Sequence, residues 1–102
     1  LYEGGIRVPL LLRWPSGGLR GRQVDLPVSS PDLMPTLLEA ARVPVPEGTQ
    51  LDGRSLLPHL RGGEAPQRSL FWHYPHYGNQ GGAPGAAVMR DGWKLILWDE
   101  EP

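Results

Sequence analysis

Apolar positions along the chain fall into short blocks separated by proline- and glycine-rich breaks. The first is Ile6-Arg7-Val8-Pro9-Leu10-Leu11-Leu12-Arg13-Trp14, bracketed by Gly4-Gly5 and Pro15-Ser16-Gly17-Gly18. Near-continuous apolarity over this length predicts a strand buried on both faces, as in the middle of an α/β sheet. Pro9 removes one ladder donor, so pairing is expected to start after it. Val24 to Val28 predicts a shorter strand interrupted by Pro27. The strongest helix signal follows, with Asp32 as N-cap, Pro35 in the first turn, and Leu33, Leu37, Leu38 and Ala41 on one face. Val43-Pro44-Val45-Pro46 ends that helix, because a residue before proline is pushed out of the α region. Ser55 to Leu60 fits one further helical turn, limited by Pro58.

The second half reads as β structure. Ser69-Leu70-Phe71-Trp72-His73-Tyr74 is aromatic and strand-like, and His76 to Ala87 is a long glycine-rich loop. Asp91-Gly92 stands between two apolar-alternating runs, which predicts a two-residue hairpin over residues 87–98. The sum is an α+β architecture in which a single helix cannot cover both faces of the first predicted strand.

The chain holds 14 glycines and 12 prolines in 102 residues, near the level where low complexity begins. Its leucines, valines and four tryptophans still supply the apolar surface of an ordered, loop-rich domain. A net charge of −1 without a basic cluster argues against a nucleic-acid partner and against polybasic attachment to a membrane. No apolar run reaches the roughly 18 residues of a membrane helix. The absence of cysteine removes disulfides, thiolate zinc sites and a cysteine nucleophile from these residues. The sequence opens on Leu1 without a charged-then-apolar leader, so it is expected to start within a longer protein, its targeting signals lying outside these residues.

Chemistry-bearing residues are few. His73 and His76 sit in His-Tyr-Pro-His-Tyr, beside the glycine-rich loop. A metal would need a third and fourth ligand that only scattered carboxylates offer, so no metal site is expected. Imidazole and phenol groups beside a flexible loop suit either a wet aromatic strand end or the rim of a pocket for an anionic or sugar-like ligand. A triad of Ser29, His73 and Asp99 lacks the Gly-x-Ser-x-Gly elbow. Glu3 and Arg7 are expected to brace the Gly4-Gly5 turn, and Lys94 to point into solvent.

The order of motifs is more specific than any one of them. Tyr2-Glu3-Gly4-Gly5-Ile6-Arg7-Val8-Pro9 followed by Trp14-Pro15 resembles the Tyr-Glu-Gly-Gly-x-Arg-x-Pro segment of the type I sulfatases, the arylsulfatase family. Asp32-Leu33-Met34-Pro35-Thr36-Leu37-Leu38 resembles that family's next helix, and Leu51-Asp52-Gly53-Arg54-Ser55-Leu56 its Asp-Gly-x-Ser-Leu loop. The stretch from Ala87 to Ile96 resembles its C-terminal hairpin, and His73 to Gly82 is similar to bacterial members. Arg42 departs from the pattern where many members carry glycine, which implies a different helix end here.

The resemblance implies a hydrolase of sulfate esters whose catalytic N-terminal part is missing from these residues. In fold terms it implies residues 1–47 as the tail, strand plus helix, of an α/β, alkaline-phosphatase-like catalytic domain. Residues 48–102 would then form a small antiparallel β C-terminal subdomain. Formylglycine and Ca2+ are expected in the full-length enzyme, with no cofactor, metal ligand or catalytic residue in this part. His73, Tyr74 and His76 are the expected substrate-binding residues, facing the leaving group of a sulfate-ester substrate. The isolated chain is expected to associate with itself through Val8 to Leu12. The alternative is a stand-alone carbohydrate- or anion-binding module, or a structural self-associating one, without catalysis.

Overall fold

The computed structural model describes residues 1–19, 21–79 and 81–100. Among the described residues three α-helical elements, α1 (Glu3–Ile6), α2 (Leu33–Ala41) and α3 (Leu57–Leu60), and two short 3-10 turns precede three strands, β1 (Leu70–Tyr74), β2 (Gly85–Arg90) and β3 (Trp93–Trp98). The chain gathers into two units, Leu1–Leu11 with the chain from Gln67 onward, and Leu12–Pro66.

In the first unit the strands form an antiparallel sheet of order β1-β2-β3. β2 and β3 pair directly around Asp91-Gly92, with Ala87 opposite Ile96 and Arg90 opposite Trp93. Asp91 (φ 49°) and Gly92 (φ 81°) both have positive φ, as a primed two-residue hairpin turn demands. Side chains alternate between faces. One face carries Leu70, Trp72, Ala87, Met89, Lys94, Ile96 and Trp98, all buried or half-buried, with the exposed Tyr74 at its edge. The opposite face carries Phe71, Trp93, Leu95 and Leu97, all exposed, Trp93 to 84%.

The strand expected in the first apolar block does not form. Tyr-Glu-Gly-Gly instead makes a helical turn closed by Arg7 N–H donating to Glu3 O at 2.9 Å. Residues 7–14 are irregular and Leu11 is 92% exposed. A strand exists only with a partner, Pro9 removes a donor, and the three described strands pair only with one another. Residues 24–28 likewise form no strand.

The second unit is organised by a buried polar side of α2. Asp32 stands at the N-cap of α2 as expected, but in helical geometry and without a side-chain cap bond; the capping box belongs to the preceding 3-10 turn, Ser30–Asp32, where the N–H of its cap residue Ser29 donates to Asp32 Oδ2 at 2.9 Å. Asp32 is fully buried and Thr36 nearly so, whereas Leu33 and Leu37, placed by helical spacing on a core face, are exposed. The reason lies in the loop before α3, whose backbone donors need acceptors. Arg54 N–H donates to Asp32 Oδ1 and Leu56 N–H to Thr36 Oγ1, each at 2.9 Å, while Thr36 O–H donates to Asp32 O at 2.6 Å. Leu56 and Leu57 are buried beside this network, the latter completely, worth about 1.5–3 kcal/mol for a leucine.

The end of α2 also differs from expectation. Arg42 itself adopts the left-handed conformation (φ 56°). Its N–H reaches Glu39 O and that of Val43 reaches Leu38 O at 2.9 Å, the paired bonds of a Schellman motif. The helix therefore ends as a glycine would end it, with a side chain that disfavours the conformation.

Candidate functional site

β1 runs into the glycine-rich loop and carries the three residues that the sequence singles out. Tyr74 ends β1 opposite Gly85, and His73 lies one residue earlier opposite Ala86, so the two leave opposite faces of the sheet. His76 turns back onto Tyr74, their rings meeting edge to face with centroids 5.5 Å apart at 85°. The structure thus joins Tyr74 with His76 and places His73 on the face of Phe71. All three side chains are exposed.

The loop beyond them is tied to itself and to the end of the sheet. Gly78 N–H donates to Gly82 O at 2.8 Å and Gly81 N–H to Gly78 O at 3.0 Å. Asp99 N–H donates to Pro84 O at 3.0 Å, and the Tyr77 hydroxyl donates to the Glu100 carboxylate. That bond holds the Tyr77 hydroxyl above its ordinary pKa, since losing the proton would set a phenolate against a carboxylate. The remaining histidine, His59, belongs to the second unit, its Nδ1 lying 3.0 Å from Gly63 O just beyond α3.

A second cluster escaped the sequence reading. Lys94, expected in solvent, lies on the covered face with its side chain 15% exposed. Its ammonium donates to Glu3 Oε1 at 2.5 Å and to Leu1 O at 3.2 Å. Glu3 does reach Arg7, at 3.5 Å between Oε2 and Nη1, but Lys94 is its closer partner. The Tyr2 ring packs 5.9 Å from that of Trp98, so one ion pair and one aromatic contact seat α1 on β3. The hydrogen bond from Lys94 holds the Glu3 carboxyl below its ordinary value, aided by the two positive charges. The available signal was the single charge in Trp93-Lys94-Leu95-Ile96-Leu97-Trp98, at the register of Ile96 and Trp98.

Among the described residues no three His, Cys, Asp or Glu side chains gather where they could hold a metal ion. Among the described residues the site offers aromatic and hydrogen-bonding groups and no donor set fitting a divalent ion. Calcium does not fit the donor groups of the described residues, and formylglycine does not fit a sequence without cysteine or a Ser-x-Pro-x-Arg run.

The three-stranded sheet, the short helices before it and the motif order fit the C-terminal subdomain of a sulfatase. The family model for the C-terminal part of N-sulphoglucosamine sulphohydrolase matches residues 1–102. Human steryl-sulfatase is 42% identical over 74 residues, covering 72% of this chain and 13% of its own length. Human arylsulfatase A is 46% identical over 92 residues, covering 89% of this chain and 17% of its own. The uncharacterized sulfatase YdeN of Escherichia coli K12 is 36% identical over 88 residues, 81% of this chain and 15% of its own. The chain spans less than a fifth of the length of these relatives. It belongs to the N-sulphoglucosamine sulphohydrolase C-terminal family and corresponds to the C-terminal part of a sulfatase.

Proposed function

We propose that this chain completes the fold of an enzyme that hydrolyses sulfate esters, R–O–SO3− plus water giving R–OH plus sulfate, and forms part of the wall facing the leaving group. The observation that carries this reading is the exposed Tyr74–His76 pair at the mouth of the glycine-rich loop, in a chain matched throughout by a sulfatase family. In that enzyme residues 1–47 continue the catalytic domain and residues 48–102 form the antiparallel subdomain. Developing charge on the sulfuryl oxygens requires fixed cations or a metal. Those groups, with formylglycine and calcium, belong to the rest of the enzyme. This part orients R and excludes water around it.

The names of the relatives span aryl, steryl and aminosugar groups, so family membership leaves R open. The test is steady-state kinetics of the whole enzyme carrying His73→Ala, Tyr74→Ala or His76→Ala. KM is expected to rise with kcat and bound calcium unchanged; loss of calcium, or unchanged KM in all three variants, overturns the assignment.

Outside that enzyme the exposed Val8, Leu10, Leu11 and Leu12 and the bare sheet face of Phe71, Trp93, Leu95 and Leu97 favour self-association. Light scattering behind a sizing column is expected to show dimers or larger species, and a clean monomer at tens of micromolar refutes this.

A further inference from the structure

We infer that Lys94 is a positioning residue of the proposed enzyme. From the edge strand β3 its ammonium holds residues 1–3, which there continue the catalytic domain, and so fixes the sheet that carries Tyr74 relative to the reacting centre. This rests on the substrate-wall reading above and adds the device that sets where the wall stands.

The first observation is the place of the cation. Lys94 lies on the covered face, in line with Ile96 and Trp98 and opposite Met89, its side chain 15% exposed. A lysine there gives up much of its hydration, and its ammonium needs acceptors in return. It has two, Glu3 Oε1 at 2.5 Å and the Leu1 carbonyl oxygen at 3.2 Å. The second is a main-chain group, so the ammonium fixes the backbone ahead of α1 as well as a side chain.

The second observation is that the held stretch cannot keep its own position. α1 has four residues, against the roughly 12–15 that an isolated helix needs, and none of the four is buried. Two of them, Gly4 and Gly5, lose more conformational freedom on ordering than any other residue type. Gly5 N–H on Tyr2 O at 3.0 Å and Arg7 N–H on Glu3 O at 2.9 Å close a single turn. What places that turn is the contact of residues 1–3 with β3: Leu1 O and Glu3 on Lys94, and the Tyr2 ring on Trp98.

The third observation is the setting of the unit's other cations. Arg7 reaches the second oxygen of Glu3, Oε2, at 3.5 Å, but it directly follows α1 and is 83% exposed, so it ties the turn to itself. Arg90 pairs with Asp91 at the hairpin turn, and Arg68 stands ahead of β1, the opposite edge strand. Lys94 joins residues 1–3 to β3 and, through the ladder, to the rim. Ile96 pairs with Ala87, and Ala87 with Trp72, two residues before Tyr74. Without Lys94 the sheet is free to turn, drawing Tyr74 and His76 off R. The loss then falls on KM, as it does for groups that bind R without entering the chemistry.

The experiment is steady-state hydrolysis of 4-nitrophenyl sulfate by the whole enzyme, with Tm recorded for each variant. Lys94→Met keeps an unbranched stem beside Ile96 and Trp98 and is expected to raise KM about fivefold with kcat held. Lys94→Arg retains a cation with several donors and is expected to stay within about twofold of the wild-type KM. Tyr74→Ala is expected to raise KM about tenfold, and Lys94→Met combined with it no further, because Lys94 acts through the rim. A merely structural role lowers Tm or the amount of active enzyme, and neither moves KM. Lys94→Met at the wild-type KM, beside a raised KM in Tyr74→Ala, therefore overturns this inference and leaves the wall standing. Effects that multiply in the double variant, to about fiftyfold, show two independent actions and overturn it as well. Wild-type KM in Lys94→Met and in all three rim variants alike takes down the substrate-wall reading, and this inference with it.

Discussion

Replacing Gly53 by alanine tests whether the Asp52-Gly53 loop is locked to the entry of α2. A methyl group at Gly53 would overlap the Pro31 carbonyl and the Asp32 amide nitrogen, backbone atoms that no rotamer change can move aside. The loop must shift, and its position is what lets Arg54 N–H reach Asp32 Oδ1 and Leu56 N–H reach Thr36 Oγ1, both at 2.9 Å. Overpacking of this kind costs about 1–3 kcal/mol. Weakening a bond to a buried polar group adds roughly 1–3 kcal/mol. Part of each is relieved by backbone adjustment, leaving an expected loss of about 3 kcal/mol, or a fall in Tm of roughly 10–20 °C for a chain of this size. Gly5→Ala is the control, because open space surrounds its Cβ position and helical alanine is favoured over glycine. Urea unfolding gives the stability difference, and hydrogen exchange at Arg54 and Leu56 reports whether the two bonds open first. A Gly53→Ala chain within about 0.5 kcal/mol of wild type, the range of an ordinary surface change, would refute the packing argument.

How much of this was legible in the sequence depended on whether the decisive contact was local. The Asp91-Gly92 hairpin could be read directly, because a two-residue turn with positive φ at both positions selects its own residues. The existence of α2 was equally legible from apolar spacing and proline placement. Its orientation was not, because the spacing of Leu33, Leu37 and Leu38 speaks only of apolarity. The side it buries is chosen by two amides some twenty residues away that need Asp32 and Thr36 as acceptors. Val8 to Leu12 misled for the complementary reason, since apolar residues specify a strand only where a neighbour can pair with it. Lys94 was misplaced because both faces of β3 read as apolar, so alternation could not say which was covered. Its partner Glu3 lies at the other end of the chain. The pairing of Tyr74 with His76 across Pro75 was local and thus foreseeable, whereas the departure of His73 to the opposite face follows from strand alternation.

Three further outcomes follow from particular dihedrals and charges. Arg42→Gly removes a side chain from a left-handed residue that already makes both Schellman bonds, so it is expected to stabilise the chain by about 1 kcal/mol in urea unfolding. Gly92→Val forces a β-branched residue to φ near 81° and is expected to cost roughly 1–3 kcal/mol, seen as a lower Tm; an unchanged Tm contradicts the turn. The last concerns pH. Lys94 holds the Glu3 carboxyl below its ordinary value of 4.5, so folding favours the ionised form. A depressed carboxylate contributes its stability in full above the unfolded-state value and loses it as the pH falls through the lower folded-state value. Seating of α1 on β3 is therefore expected to hold from neutral pH to the ordinary carboxylate range and to loosen only below it. A carboxyl-carbon NMR titration of Glu3 should give a midpoint below 4.5, and Lys94→Met should move that midpoint back up. Because Tyr2 packs on Trp98, the same acid transition should appear in the Trp98 indole resonance and vanish in Lys94→Met. A Glu3 midpoint at the ordinary value in the unmodified chain would show that the ion pair does not form in solution.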